Sequence, residues 1–300
     1  MLYVIPHYGS KLLLKKTVKA IIATDKKADI YIGDDSHSLK QGEFKECKIV
    51  KGPKKGFAAN INNVMRTIKR GLVVIINNDM ELDEGWKMNI SKVLPKRSKN
   101  FTLASKIINQ NGLIDSAGDC YSWFGQGYNR LHLKPKSWKV NNNEKIIGPT
   151  GGLMVTTAET FHMLNGFDEQ FESYVEDTDF NIRARNIGVK VLFCEKALAI
   201  HKGSATYSSD SKQYYSARNT ILNIRKNFTG TLKSRLMFRN FYYWRLKRAI
   251  KPQWSKAIKK GIQEGLQMNI DRINDGAKIE SLNEISTDNF LKSFWRLLNL

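Results

Sequence analysis

Apolar residues along about the first 80 positions follow two different spacings in turn. Strands are predicted at residues 2–6, 28–35, 47–52 and 72–76, of which the first and the last are short apolar runs. Apolar residues at helical spacing between these runs are Leu14, Val18, Ile21 and Ile22, then Phe57, Ile61, Val64, Met65 and Ile68. Ser10 precedes the first of these predicted helices and can cap it. The alternation predicts an α/β fold, with a mostly parallel sheet covered by helices on both faces.

Polar residues follow two of the predicted strands where each one ends. Asp34 and Asp35 end the second run, and Asn77 and Asp79 follow the fourth. The carboxyl ends of parallel strands meet at one edge of a sheet, and ligands bind outside that edge. Because acids arrive there from two strands, we expect Asp34 and Asp35 to accept hydrogen bonds from a nucleobase or ribose. Asp79 could hold a divalent cation or simply form a turn.

The second half of the chain is less regular. Residues 148–155 predict a strand whose glycines allow another group to approach the backbone closely. After residue 212 the pattern is helical, without a strand. The predicted boundary divides the chain into an α/β domain at residues 1–211 and a helical, basic region at residues 212–300.

Three acids lie in the first turn of a predicted helix: Glu176, Asp177 and Asp179. The helix dipole favours acids at this place, and Asp179 can pair with Arg183 one turn later. A carboxylate at a helix start can also accept a proton from a bound hydroxyl, so a catalytic base is the alternative. His201 follows the last predicted strand, where a lone histidine is more often a core residue than a ligand. Walker, GxGxxG and HExxH motifs do not occur.

Composition narrows the class of protein. The chain has 300 residues, of which 41% are hydrophobic and 26% are charged, as in folded globular proteins. Apolar runs are far shorter than the ~20 residues of a membrane span, and the first residues lack the basic start of a secretion signal. These features predict a cytoplasmic protein. Cys47, Cys120 and Cys194 are widely spaced, which indicates core residues rather than disulfides or a zinc site.

The formal net charge of +21 predicts an anionic partner. Residues 233–260 mix Lys and Arg with aromatic residues and contain no acid. Such a stretch suits a helix peripheral to an anionic membrane on its inner face, but it could equally pack its aromatic side chains onto the protein. Binding of RNA is a third alternative.

Taken together, these pieces resemble the inverting glycosyltransferases of the large GT-A family 2, in particular the rhamnosyltransferase-like members that act on bacterial polysaccharides. The matching segments are VIPHY, IGDDS, GFAANINN, VVIINND, IDSAG, GPTGGLMV, NGFDEQFESYVEDTDFNIRARNIGVKV, AIHKGS and YSARNTILNIRKNF. They cover about residues 3 to 228, and the long segment from Gly166 to Val191 is the most specific.

The resemblance implies a role for each matching residue. The nucleotide-binding residues that it implies are Pro6, Tyr8, Asp34, Asp35, Gly56, Asn62 and Asn77. Asn77 and Asp79 match the metal-binding DxD element, although the first acid is replaced by Asn77. The resemblance therefore implies that Asp79 and the diphosphate bind a divalent metal, Mn²⁺ or Mg²⁺, with His201 as a further ligand. Glu176 and Asp177 match the catalytic ED pair, with Asp177 as the base, and Arg218 and Asn219 match a helical motif that follows the catalytic core.

The implied reaction moves a sugar from a nucleotide-diphosphate sugar to a hydroxyl of a saccharide or lipid-linked saccharide. One carboxylate suffices, because it deprotonates the incoming hydroxyl on the face opposite the leaving group. The aromatic side chains of the middle segment, Tyr121, Trp123, Phe124 and Tyr128, could stack on sugar rings or pack in a core. A sugar-nucleotide pyrophosphorylase remains an alternative, although the basic, Gly-rich loop of those enzymes is missing after the first strand. A nucleic-acid partner is not expected, since RNA binding would leave the acids at the strand ends unexplained.

Overall fold

The structure is a computed structural model that describes residues 1–96, 100–140, 144–203, 208–270 and 279–298. Its strands are β1 (Leu2–His7), β2 (Asp29–Asp34), β3 (Cys47–Lys51), β4 (Leu72–Ile76), β5 (Met80–Leu82), β6 (Phe101–Asn109), β7 (Ile114–Ser116), β8 (Asp119–Tyr121), β9 (Gly127–Asn129), β10 (Leu153–Thr157) and β11 (Lys190–His201). Its α-helices are α1 (Lys11–Thr24), α2 (Phe57–Met65), α3 (Trp86–Val93), α4 (Ala158–Met163), α5 (Glu176–Asn186), α6 (Ser209–Asn227), α7 (Gly230–Ile250), α8 (Ser255–Gln267) and α9 (Phe290–Leu298).

The central sheet has the order β3-β2-β1-β4-β10-β6-β11-β5, with β7 paired to β6. Strands β3, β2, β1 and β4 are parallel, as the alternation of strands and helices predicts. In the other half, β11 is also parallel to β6, whereas β10 runs antiparallel to both β4 and β6. The chain between β6 and β10 contains no crossover helix, so it stays at the carboxyl edge and β10 starts from there. The fold is a mixed α/β fold.

Helices cover both faces of the sheet, as predicted. Tyr3 and Ile5 of β1 point to one face, where they join the core formed with α1 and α3. Val4 points to the other face and packs with residues of α2, α4 and α5. Ser10 caps α1, since its hydroxyl accepts a hydrogen bond from the backbone N–H of Leu13 at 3.4 Å. Packing on both faces of the sheet fixes the positions of the strand ends, and the candidate site lies at those ends.

Helices α6 to α9 follow the last strand, and no strand lies beyond His201 in the ranges that the structure describes. Helix α8 packs closely on α6, because a Cβ atom on Gly261 would lie 2.4 Å from the carbonyl oxygen of Tyr214. The division into two domains at residue 212 stays a prediction. None of the helices in the described parts of the chain is both long and apolar enough to cross a bilayer.

Within the basic, aromatic stretch at residues 233–260, some side chains are buried in the protein and others are exposed. Tyr243, Trp244 and Lys247 face inward from α7 and are buried. Phe238 and Tyr242, on the same helix, are exposed. Packing against the protein therefore explains one side of this helix only.

Of the cysteines expected in the core, Cys120 and Cys194 are buried, while Cys47 is half-buried on the edge strand β3.

Candidate active site

The ends of β1, β4 and β10 are joined at the carboxyl edge by hydrogen bonds. The side-chain amide of Asn78 lies 3.0 Å from Nδ1 of the buried His7, which ends β1. The backbone N–H of Asn77 donates to the carbonyl oxygen of Gly152 at 2.9 Å. Asn77 Oδ1 is buried and has no hydrogen-bond partner among the described residues. An unsatisfied acceptor at this edge is available to a ligand.

His201, at the end of β11, lies between two carboxylates. Its Nδ1 donates to Asp115 Oδ2 at 2.7 Å, and its Nε2 lies 3.3 Å from Asp79 Oδ2. Burial alone would lower the pKa of His201, but the hydrogen bonds to Asp115 and Asp79 raise it to about 10. Asp79 and His201 are 122 residues apart in the sequence. The antiparallel pairing of β5 with β11 brings them together.

Glu176 and Asp177 begin α5 directly beside the glycines that precede β10. The backbone N–H of Gly151 donates to Asp177 Oδ2 at 2.8 Å, and the N–H of Thr178 donates to Asp177 Oδ1 at 2.6 Å. A Cβ atom on Gly151 would lie 3.3 Å from the Cβ of Asp177 and 3.4 Å from Glu176 Oε1. The prediction that glycines allow a close approach here is confirmed, and at Gly151 the approaching groups are the two acidic side chains.

The two neighbouring carboxyl groups have different environments. Burial, together with the charge of Asp177, raises the pKa of Glu176 well above its usual value. Glu176 Oε2 is buried and finds no hydrogen-bond partner within the described ranges. Burial also raises the pKa of Asp177, but the N–H groups of Gly151 and Thr178 oppose that rise. These donors favour the ionised form of Asp177, and the lack of a donor to Oε2 favours the neutral form of Glu176.

The start of α5 is held by an unusual loop. Glu172, Tyr174 and Val175 all have positive φ angles, at 58°, 66° and 73°, which a β-branched valine rarely adopts. Asn219 of α6 compensates for this conformation, because its amide nitrogen lies 2.7–2.9 Å from the carbonyl oxygens of Phe171, Ser173 and Tyr174. The pair Arg218–Asn219 thus lies behind the catalytic candidates rather than among them.

Arg218 fixes the same loop from its other side. Its guanidinium donates to Glu172 Oε1 at 2.7 Å and to the carbonyl oxygens of Gln170 and Phe171 at 3.0 and 3.1 Å. The backbone N–H of Ala58, at the start of α2, donates to the carbonyl oxygen of Glu172 at 3.0 Å. The loop therefore links α6, α5 and the start of α2, where Gly56 lies.

The predicted nucleotide-binding residues fall into two groups. Pro6, Asp34 and Asp35 lie at the adjacent ends of β1 and β2, and Asp35 Oδ1 accepts from the N–H of Lys54 at 2.6 Å. Tyr8 follows β1, and its side chain is 61% exposed. The second group lies at α2: Gly56 precedes the helix with a φ of 87°, and Asn62 lies within it. Asn62 binds the backbone of Phe167 through both its amide nitrogen, at 2.7 Å, and its oxygen, at 3.0 Å.

Asp34 is also engaged by its own loop. Its carboxylate accepts from the Ser36 hydroxyl at 2.7 Å and from the Leu39 N–H at 2.8 Å. Burial would raise the pKa of Asp34, but these hydrogen bonds outweigh burial and lower it. Both Asp34 and Asn62 therefore shape the walls around this edge through the loops that they hold.

Two donors at the site fit a divalent cation. Asp79 Oδ2 and His201 Nε2 are 3.3 Å apart, and adjacent ligands of an octahedral ion at about 2.1 Å are about 3 Å apart. Asp115 is bound to the opposite side of the imidazole ring, so it orients His201 instead of adding a third ligand. In agreement with this, no three His, Cys, Asp or Glu side chains of the described residues form a metal-binding group.

Sequence reasoning missed Asp115 and Asp119. Asp119 is buried, and burial together with the charge of Asp177 raises its pKa well above the usual value. Its Oδ1 accepts from the Ser116 hydroxyl at 3.4 Å. Both acids lie in or directly after the segment IDSAG, which carries part of the family resemblance. Their spacing alone gave no sign that β7 would bring Asp115 to His201 or that β8 would bring Asp119 close enough to Asp177 for their charges to interact.

The aromatic side chains of the middle segment mostly pack within the protein. Tyr121 is fully buried, and its ring stacks on Phe228 at 5.8 Å between centroids. Phe124 is buried against Tyr243 at 5.5 Å, and the ring of Tyr128 lies 3.8 Å from the guanidinium carbon of Arg296. Packing, not stacking on sugar rings, accounts for Tyr121 and Phe124.

Sequence comparisons match this chain to a family profile and to a curated protein. A family profile described as the N-terminal domain of galactosyltransferase matches residues 129–207. The O-antigen biosynthesis protein RfbC of Myxococcus xanthus is 25% identical over 147 residues, which are 47% of this chain and 12% of RfbC. The chain thus spans a small part of the length of this curated relative. The range of the profile match includes Glu176, Asp177 and His201.

Structural comparisons give a broader match. The structure of GalNAc-T7 with UDP, GalNAc and Mn²⁺ matches 89% of this chain and 55% of its own length, with a TM-score of 0.57 and 14% identity. TarS of S. aureus matches 88% of this chain and 80% of its own fragment, with a TM-score of 0.56 and 13% identity. The mannosyltransferase PcManGT of Pyrobaculum calidifontis, in complex with GDP-Man and Mn²⁺, matches 88% and 73%, with a TM-score of 0.54 and 12% identity. The chain therefore has the GT-A fold of glycosyltransferases.

Proposed function

We propose that this chain is an inverting, metal-dependent glycosyltransferase. It moves a sugar from a nucleotide-diphosphate sugar to a hydroxyl of a saccharide or lipid-linked saccharide during polysaccharide biosynthesis. The observation that carries the proposal is the Asp177 carboxylate, which starts α5 and is fixed by the N–H of Gly151 at 2.8 Å. It lies at the carboxyl edge of a GT-A sheet, where this class of fold binds its ligands.

Asp177 acts as the general base. Its ionised carboxylate accepts the proton of the acceptor hydroxyl as the oxygen attacks the sugar, and the nucleotide diphosphate leaves from the opposite face. Burial and the neighbouring charge raise the pKa of Glu176, which favours its neutral form and so disfavours a second negative charge near the leaving diphosphate. The different pKa environments of the two acids support this division of roles.

Asp79 and, once its Nε2 proton is released, His201 would hold a divalent metal beside the donor diphosphate. When bound, the metal supplies charge neutralisation for the leaving group. Asp115 keeps His201 in position through the hydrogen bond to Nδ1. The Mn²⁺ in the structures of GalNAc-T7 and PcManGT supports a metal in this chain.

The nucleoside lies against the ends of β1 and β2. Pro6, Tyr8, Asp34 and Asp35 form its side of the pocket, with Gly56 and Asn62 at the edge and Asn77 next to the diphosphate. The unsatisfied Oδ1 of Asn77 supports its contact with the donor. UDP-GlcNAc in TarS and GDP-Man in PcManGT support a nucleotide sugar as the donor class.

The test is a donor panel. Purified protein is incubated with Mn²⁺ or Mg²⁺ and with UDP-, dTDP- and GDP-sugars, and the release of nucleotide diphosphate is measured. We expect slow release from one donor, and no release in excess chelator. The pyrophosphorylase alternative would be supported instead if no donor is bound or hydrolysed and the protein forms a nucleotide sugar from a sugar phosphate and a triphosphate.

A further inference from the structure

Exposed apolar side chains are concentrated on two helices of the C-terminal region. Eight of the seventeen large apolar side chains that are exposed in the described residues lie on α7 and α9. The most exposed of them are Phe238 at 75% and Leu291 and Trp295 at 64% each. A cluster of this kind on a folded protein marks an interaction surface.

We propose that α7 and α9 form a docking surface for an anionic lipid bilayer. The docking surface consists of Phe238, Phe241, Tyr242, Phe290, Leu291 and Trp295, with basic residues beside them. The catalytic purpose of this surface, the delivery of a lipid-linked acceptor, rests on the proposed function, whereas the binding itself does not.

Helix α7 has two chemically different sides. Residues Leu236, Asn240, Tyr243, Trp244 and Lys247 face the protein and are buried. The residues on its opposite side are exposed and recur every three or four positions: Ser234, Arg235, Phe238, Phe241, Tyr242, Arg245 and Ala249. The aromatic rings in the middle of that side are not needed for the core, because the other side already supplies it. This is the arrangement of a helix that lies flat on a membrane.

Helix α9 extends the surface. Ser293 and Leu297 are buried, while Leu291, Trp295 and Leu298 are exposed one turn apart on the other side. The two helices meet at Phe124, whose ring lies 6.4 Å from Tyr242 and 6.0 Å from Phe290. Tyr242 and Phe290 are both exposed, so Phe124 connects exposed residues of the two helices.

The charges around the docking surface select the partner. Helix α7 contains no acid, and Arg235 and Arg245 are exposed on its outer side. Lys292 is exposed on α9, while Asp288, the acid nearest that helix, is already held by Arg296. A second copy of this chain would bring like charges together, whereas anionic headgroups would pair with them.

The docking surface is physically linked to the candidate site. The N–H of Trp123 donates to Asp288 Oδ2 and to Ser293 Oγ, both at 3.1 Å, which ties the segment after β8 to α9. Asp119, at the other end of β8, pairs with Gly148, which lies three residues before the Gly151 that donates to Asp177. The docking surface is therefore connected to the proposed base through β8 and residues 148–151.

Vesicle sedimentation of the full chain, without nucleotide, tests the proposal. The probes are vesicles of phosphatidylcholine alone and vesicles with about one quarter phosphatidylglycerol. We expect binding to the anionic vesicles only, and release in high salt. The triple variant Phe238→Ser, Phe241→Ser and Leu291→Ser should bind at least tenfold more weakly. The matched control, Leu12→Ser, Met88→Ser and Met163→Ser, also changes exposed apolar residues and should bind within twofold of the wild type.

A charge pair completes the design. Arg235→Glu with Arg245→Glu should abolish sedimentation. Lys26→Glu with Arg70→Glu makes the same change of net charge at the amino edge of the sheet, before β2 and β4, and should not. Equal loss in both charge variants, equal binding to neutral vesicles, or no binding at all would overturn the proposal. A dimer in analytical ultracentrifugation that the triple variant dissociates would do so as well, by giving the surface to a second copy. Nucleotide release by the same variants, measured without vesicles, reports separately on the proposed function.

Discussion

Two pairs of neighbouring acids lie at the carboxyl edge, and they differ in how the chain satisfies them. Asp34, at the end of β2, accepts hydrogen bonds from the Ser36 hydroxyl and the Leu39 N–H, and these lower its pKa. Glu176, at the start of α5, is buried with an unpartnered oxygen, and its pKa is raised well above the usual value. Asp177, the neighbour of Glu176, is fixed by donors yet remains partly exposed.

The difference separates structural acids from reactive ones. A carboxylate that accepts hydrogen bonds from its own loop fixes that loop as a wall of the proposed nucleotide pocket and takes no part in the reaction. A pair of acids in which one is neutral and the other is held ionised can divide catalytic roles. The following predictions test this comparison.

The largest effect is expected for Asp177→Asn. This variant keeps the size of the side chain but removes the base, so turnover should fall by at least ~100-fold. Donor affinity, measured by calorimetry, should stay nearly unchanged, because Asp177 does not hold the nucleotide. Turnover close to that of the wild type would transfer the role of base to another group.

Asp115→Asn should weaken the metal site without removing a ligand. Loss of a carboxylate that orients a metal-bound histidine typically costs 10–100-fold in metal affinity. Titration of free Mn²⁺ by electron paramagnetic resonance measures this directly, with Asp79→Ala as the variant that removes a proposed ligand. If Asp115→Asn binds Mn²⁺ as the wild type does, Asp115 has no positioning role.

Asp34→Asn should mainly affect stability, by about 1–2 kcal/mol, because the N–H of Leu39 loses a charged acceptor. The folded-state pKa of Asp34 is lowered, so its contribution is present above the unfolded pKa and is lost as the pH falls through the folded pKa. The difference in melting temperature from the wild type should therefore be large at pH 7 and shrink below about pH 4. A constant difference across this range would mean that the charge of Asp34 is irrelevant.

Glu176→Gln should have the smallest effect on the rate, less than about threefold, because it replaces a neutral acid with a neutral amide. Its effect on stability has the opposite sign to that of Asp34→Asn. The raised folded-state pKa means that the wild type loses stability as the pH rises above the unfolded value, so the variant should melt higher at pH 7 and equally near pH 4. A large loss of turnover in Glu176→Gln would show that the ionised form of Glu176 takes part in the reaction.

Much of the parallel half of the fold follows from the sequence, because apolar spacing there is regular and each strand has its own crossover. The reversal of β10 was missed, since a single strand carries no sign of its direction. The acids Asp34, Asp79 and Asp177 were identified from strand ends, a helix start and the resemblance. Asp115 reaches the site through the pairing of β7 with β6, and Asp119 through its pairing with Gly148, both contacts between residues of irregular pattern. The left-handed Val175 before α5 likewise depends on Asn219, which lies on a distant helix.

The stereochemistry of the product tests the central claim most directly. A single base, Asp177, opposite the leaving diphosphate requires one displacement and therefore inversion at the anomeric carbon. Proton NMR of the first product, formed from the donor that the panel identifies, measures the anomeric configuration before it can equilibrate. We predict a β-linked product from an α-linked donor sugar. Retention of the donor configuration would contradict the role of Asp177 as the only base.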